Sequence, residues 1–124
     1  MIYNGTTGGD YLEIGWIDIS RDTSLKKGEL TDTYYYILLS LMKPKHGYLI
    51  MKSVEEISKN TFSIGPASLY TSIRKLLDAG LIKLIDESSQ RKIYMTTDEG
   101  VKFLKRDIRK KRRMIEAAEK IFDE

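Results

Sequence analysis

Cysteine is absent from this 124-residue sequence, and histidine occurs once, at His46. The first absence removes disulfides, thiolate nucleophiles and every cysteine-based zinc site, and it fits a reducing, cytoplasmic setting. The second leaves a zinc site to carboxylates almost alone. It also leaves any Ser-His-Asp relay to a histidine lodged in Pro44-Lys45-His46-Gly47, a turn with no serine elbow beside it. No apolar run approaches the ~20 residues that span a bilayer. The opening Met1-Ile2-Tyr3-Asn4-Gly5 lacks the basic and then apolar stretches of a secretory signal. Gly5-Thr6-Thr7-Gly8-Gly9 is without the Lys-Ser/Thr that completes a phosphate loop. With no paired catalytic groups, no metal motif and no cofactor motif, the sequence argues against an enzyme.

What is present is an ordinary globular balance, 41% hydrophobic and 31% charged, which argues against wholesale disorder. The length suits one core with an arm or two. A net charge of +3 is too small to name a partner, so the placement of the cations carries more weight. They gather at Arg74-Lys75, at Arg91-Lys92 and between Lys102 and Arg113.

Residues 1–30 form an N-terminal arm with one short strand suggested at Tyr11–Ile19, where apolar residues partly alternate around Gly15. A flexible arm and an edge strand lying on the domain or on a partner both fit. Trp16 reads as packing there, not as a ligand contact. Thr31 and Asp32 are N-cap types ahead of a helix through Tyr34-Tyr35-Tyr36 to Met42, apolar on nearly every side and so expected to be central. Pro44 ends it, leaving Lys43–Gly47 as a turn with His46 as a turn or cap residue. Ile50, Val54 and Ile57 make one face of a second helix over 48–59, with Asn60 as its left-handed terminator and Tyr48 in the core. A third helix begins at Pro66, buries Leu69, Ile73, Leu76 and Leu77, and closes at Ala79-Gly80. Its other face shows Ser68, Thr71, Ser72, Arg74 and Lys75.

Strand periodicity then replaces helical periodicity. Ile82–Glu87 and Arg91–Thr96 flank Ser88-Ser89-Gln90 and predict a β-hairpin with a polar, partly basic tip. Thr97 caps a last helix of roughly 26 residues, ~39 Å long by its rise. Val101, Leu104, Ile108, Ile115, Ala118 and Phe122 follow a three-four repeat, with Lys111 in the one expected apolar place that is not apolar. Met114, Ala117 and Ile121 form a second stripe beside it. So long a stripe exceeds what a small domain covers, which predicts dimerisation through Leu104, Ile108, Ile115, Ala118 and Phe122. The run Lys105–Arg113 reads as a solvated face.

The order helix, helix, helix, hairpin, long helix predicts a mainly α fold with a small β-hairpin: a winged helix-turn-helix over 31–97 and a C-terminal dimerisation helix over 98–124. In that architecture the third helix turns its hydroxyl and cationic face to the major groove. Ser63 sits in the turn before it, Arg74 is able to pair with guanine, and Gln90, Arg91 and Lys92 occupy the wing. A winged helix that mediates protein–protein contacts without binding DNA is the alternative. An effector entering among Tyr34, Tyr35, Tyr36 and the last helix is compatible with repression and would add to it.

Three stretches resemble the PadR regulators: His46-Gly47-Tyr48, then Ala67–Ile82 with Leu69-Tyr70 and Ala79-Gly80-Leu81-Ile82, then Arg91-Lys92-Ile93-Tyr94 through Thr97–Gly100. The resemblance covers roughly 31–123. It implies a homodimeric transcriptional regulator, usually a repressor, whose DNA-facing set is Ser68, Tyr70, Thr71, Arg74 and Lys75, with Arg91 and Lys92 in the wing. Its expected partner is double-stranded DNA carrying a pseudo-palindromic operator; whether a small-molecule effector exists is left open by the sequence. The residues themselves argue for no cofactor, no metal and no membrane. Thr96 stands where the family usually has leucine, which predicts looser packing at that strand end.

Overall fold

The computed structural model describes residues 25, 27–86 and 91–124. The strand read at 11–19 and the wing-tip residue Gln90 lie outside these. Helix α1 spans Asp32–Ser40 and is capped by Thr31, whose hydroxyl accepts from the Tyr34 amide at 3.3 Å. It is the central element: Tyr34, Ile37, Leu38 and Ser40 are buried, and Leu41 follows them into the core. Leu30, ahead of the helix, is buried with them, and Leu25 packs against the same cluster.

Two residues read as turn, Lys45 and His46, form strand β1. Helix α2, Gly47–Ile57, follows directly. The Lys45 ammonium donates to the carbonyls of Ser40 and Lys43, closing the C-terminal end of α1. Burial, and after it the charge of Lys43, lowers the Lys45 pKa from its ordinary 10.5. Ile50 and Val54 are buried as expected, but Ile57 is exposed, because α2 ends there and the chain turns away. Lys59 (φ 54°) and Asn60 (φ 62°) are both left-handed, so the terminator is two residues long. Buried Ser58 organises this turn: its hydroxyl lies 3.1 Å from both the amide and the carbonyl of Phe62.

Helix α3 spans Pro66–Asp78 with Pro66 in its first turn and Leu69, Ile73 and Leu76 inside. Ser72, read on its outward face, is buried, since it shares the inner arc with Leu69 and Leu76. Gly80 (φ +75°) turns the chain into strand β2, Ile82–Asp86, which pairs antiparallel with β3, Ile93–Thr96. The register runs from Ile82 opposite Thr96 to Leu84 opposite Tyr94, with an irregularity before Asp86. Because β1 pairs with the other edge of β3 (Lys45 opposite Tyr94), the hairpin becomes a three-stranded sheet in the order β1-β3-β2.

Thr96 corrects the expectation of loose packing. It is buried, its hydroxyl donates to the Leu38 carbonyl at 2.8 Å, and its amide donates to the Leu41 carbonyl at 2.9 Å. A hydroxyl at this position bonds the sheet to α1 where leucine would only fill space. Thr97 repeats the device. Its amide and hydroxyl donate to the Leu81 and Gly80 carbonyls at 3.0 and 2.7 Å, and the hydroxyl also accepts from the Gly100 amide at 3.1 Å. That last bond caps helix α4, Asp98–Phe122. Gly100 is buried against the α3–β2 turn, and a Cβ there would meet the Leu81 carbonyl oxygen and lie 2.6 Å from Thr96 Cγ2. Leu104, expected in a dimer seam, is 3% exposed in the chain's own core, so it holds α4 to its domain.

A candidate nucleic-acid interface

The outward side of α3 carries Ser68, Tyr70 and Arg74, all exposed, with Thr71 and Lys75 half-buried at its margins. Ser63, in the turn before the helix, is also exposed. This division follows from the 3.6-residue period: burying Leu69, Ile73 and Leu76 on α1 and α2 forces residues 70 and 74 outward. The face holds hydroxyls and cations with no carboxylate before Asp78. Arg74 brings a fork of donors suited to a guanine edge, and Ser68 and Thr71 bring short donor-acceptor groups.

The α2 N-terminus and the hairpin converge beside this face. Arg91 and Lys92, at the start of the hairpin's second limb, are exposed. The Arg91 guanidinium donates to the Tyr48 hydroxyl at 2.9 Å and lies 5.1 Å from that ring's centroid. Tyr48 in turn stacks on His46, ring centroids 5.8 Å apart and planes 18° from parallel. The Tyr70 ring reaches over Gly47, where a Cβ would lie 3.3 Å from Tyr70 Cε1 and 3.5 Å from Tyr94 Cε2. Glycine there leaves room for the Tyr70 and Tyr94 rings against the start of α2.

Together these residues line a cleft of about 290 Å³: His46, Gly47, Tyr48, Tyr70, Arg91, Lys92 and Tyr94. Its described walls offer two cations, three phenols and the first turn of α2, which has no side-chain cap, and no acid is among the described residues that line it. Burial, and after it the neighbouring Tyr70, raises the Tyr94 pKa above 10.0, so this phenol stays a neutral donor under ordinary conditions. Such a lining suits an anionic oxygen, as of a phosphate group.

Tyr48 was expected in the core and is exposed. Its exposure was legible, since it precedes Ile50 by two residues, about half a turn from the buried stripe. Tyr94 and His46 could not be placed in the cleft without β1, which no periodicity announces.

The aromatic triplet divides three ways. Tyr34 is core, at 4% exposed. Tyr35 turns towards α4, where the Lys111 ammonium sits 4.8 Å from its ring centroid. Tyr36 stacks on Phe62, centroids 5.0 Å apart. Of the residues expected to receive an effector, Tyr35 lines a cleft of about 390 Å³ along α1 and α4. Among the described residues no group of acids and histidine could hold a metal ion, and no helix is long and apolar enough to cross a membrane.

Several solved structures share this fold. A transcriptional regulator from Clostridium thermocellum is 22% identical, with 77% of this chain and 95% of that one covered and a TM-score of 0.60. A PadR-family transcriptional regulator from Eggerthella lenta is 25% identical over 83% of this chain and 89% of its own, with a TM-score of 0.60. The Bacillus subtilis PadR, whose structure was solved in complex with operator DNA, is 29% identical. There the match covers 59% of this chain and 44% of that protein, with a TM-score of 0.51. No curated protein matches the sequence. The model of the transcriptional regulator PadR-like family matches residues 37–106, from within α1 to the first turns of α4 and across every element of the cleft. The chain belongs to the PadR-like family of transcriptional regulators.

Proposed function

We propose that this protein is a homodimeric repressor that binds double-stranded DNA sequence-specifically, with α3 in the major groove and the wing along the neighbouring backbone. The observation that carries this is the continuity of the α3 face with the cleft of cations and phenols. Arg74, Ser68 and Thr71 are presented for base edges beside a pocket of phenols and cations suited to one backbone phosphate. The operator-bound B. subtilis relative supports the same use of the fold.

The dimer is supported by α4. Beyond Arg113 the helix leaves the domain, and Ile115 and Phe122 are 57% and 86% exposed on a line continuing the buried Leu104 and half-buried Ile108. A two-fold dimer would present two α3 helices to a pseudo-palindrome with half-sites ~34–36 Å apart. Such a protein works in the cytoplasm beside the DNA.

Arg74→Ala tests the reading part of the site. The expected outcome is a loss of discrimination between operator and mismatched duplexes worth about 1–3 kcal/mol at one base pair of each half-site. Discrimination equal to wild type would remove Arg74 from base recognition. Absence of wild-type binding to any duplex would favour the protein–protein module.

A further inference from the structure

Two features take no part in the DNA contacts proposed above: the acidic charge ahead of Leu25 and the basic outer face of α4. Residues 1–20 contain Asp10, Glu13 and Asp18 and no lysine or arginine. In α4, Lys102, Arg106, Arg109 and Arg113 recur at spacings of four, three and four, so they share one face. All of them are exposed. The stripe they form is ~16 Å long by the helical rise. It lies across the helix from Leu104, which is buried in the domain, and from half-buried Ile108. Asp107, the acid in the same stretch, is buried and paired with Lys111. Among the described residues only Lys102 of the stripe has an acidic partner, Glu99 at 3.4 Å.

The chain enters the domain beside this stripe. Leu25 packs against the core cluster, and the Gly28 amide donates to its carbonyl at 3.1 Å, a turn that ties this end of the arm down. Gly28 (φ +78°) sits against α4, where a Cβ would lie 3.9 Å from Arg106 Nη1. Ten residues separate Gly28 from Asp18, an extended reach of ~33–36 Å and about twice the length of the stripe. Acids at 18, 13 and 10 therefore reach every cation of the stripe. The Arg106 guanidinium also lies 4.9 Å from the centroid of the half-buried Phe103 ring, which sets an apolar surface beside the charges. The acids of the arm are interleaved with apolar residues, among them Leu12, Ile14 and Trp16.

We propose that the outer face of α4 is the docking surface for segment 10–19 of the same chain, whose acids meet Arg106, Arg109 and Arg113 and whose apolar residues meet Phe103. Charge complementarity selects this occupant, and attachment beside Arg106 favours it over a free one. A tether of this length holds the acids at an effective concentration on the order of millimolar. A nucleic-acid backbone is the rival occupant of any cationic stripe, and it would have to displace the arm first. The docked arm thus withdraws α4 from other polyanions and leaves the α3 face and its cleft as the accessible cationic surface.

Trp16 is the only tryptophan of the chain, so its fluorescence reports on the arm whether or not the protein binds DNA. The test is acrylamide quenching of Trp16 in the full chain at low salt, with helical content checked by circular dichroism. Combining Arg106→Glu, Arg109→Glu and Arg113→Glu should raise the quenching constant roughly twofold, as three attractions become repulsions. Combining Asp10→Lys, Glu13→Lys and Asp18→Lys should do the same, and joining the two sets should restore the wild-type value. Near 1 M salt, where charges are screened beyond about 3 Å, wild type should approach the reversed variants. Equal quenching in wild type and the arginine variant, or no recovery when the sets are joined, would overturn the docking. The salt slope for a random duplex should be unchanged when the three arginines become glutamine. A slope smaller by about three would give the stripe to nucleic acid instead.

Discussion

Gly100→Ala tests the way α4 is fastened to the winged helix. In an exposed helix this change is favourable by about 0.5–1 kcal/mol, since alanine gives up less backbone entropy. Here the added methyl would be driven into the Leu81 carbonyl oxygen and would lie 2.6 Å from Thr96 Cγ2 and 3.2 Å from the Leu81 carbonyl carbon. Neither neighbour is free to retreat. The Leu81 carbonyl accepts from the Thr97 amide, and Thr96 is bonded to α1 through its amide and its hydroxyl. Overpacking of this kind costs about 1–3 kcal/mol, and contact with a held backbone carbonyl puts this case near the upper end, so a net loss of about 2 kcal/mol remains after the helical gain. Urea denaturation of the two proteins at equal concentration should show a lower midpoint at unchanged slope, and Tm should fall by roughly 4–8 °C per kcal/mol. Gly80→Ala is the useful contrast. Nothing lies within 4 Å of its added methyl, but φ is +75°, so its loss of about 1–2 kcal/mol comes from backbone strain alone. Asparagine should recover part of that loss at position 80 and none at position 100. A Gly100→Ala protein as stable as wild type would refute the close approach of α4 to the α3–β2 turn.

Thr96→Val removes a buried hydroxyl and leaves the Leu38 carbonyl without its side-chain donor, and should cost about 1–3 kcal/mol by the same assay. Lys92→Ala should weaken binding to all duplexes alike and reduce the salt slope by about one, whereas Arg74→Ala should act chiefly on sequence preference. Tyr94 has a folded pKa above its ordinary 10.0, raised first by burial and then by Tyr70. Its contribution to stability is therefore complete below pH 10.0 and lost as pH rises through the folded value. Tyr94→Phe should flatten that alkaline decline in urea titrations taken between neutral and high pH, and an unchanged decline would assign it to other groups. Ile115→Glu with Ala118→Glu should yield monomers in sedimentation experiments, since both lie on the exposed continuation of the α4 stripe.

The helices were legible because each carries two independent signals. Pro66 and Gly80 bracket α3 as the Leu69–Ile73–Leu76 spacing demands, and Thr97 followed by Gly100 marks the start of α4. Strand β1 was not legible. Two residues cannot show a period, and Lys45-His46 pairs with β3 only because the chain leaves α1 at that edge of the sheet. Without β1 the convergence of His46, Tyr48, Tyr94 and Arg91 is invisible, although Arg91 and Lys92 were expected in the wing. Ser72 was misplaced because a small hydroxyl is tolerated on either side of a helix, so its chemistry does not report its burial. Leu104 and Ile115 belong to one repeat, and no spacing tells where the chain's own domain stops covering α4. That boundary depends on the length of α1 against which α4 lies. The departure at Thr96 was visible in the sequence but not its consequence, which needs the Leu38 carbonyl to be in reach.

The most direct test of DNA recognition by this fold is a fluorescence anisotropy titration of the wild-type protein at two salt concentrations. One duplex is the fragment immediately upstream of the protein's own gene, and the other is a random sequence of equal length. The expected result is binding to the upstream fragment on the order of 10³-fold or more tighter than to the random duplex, with both affinities falling as salt rises. Equal, weak and salt-labile binding to both would contradict sequence-specific recognition and leave the winged helix to a protein partner.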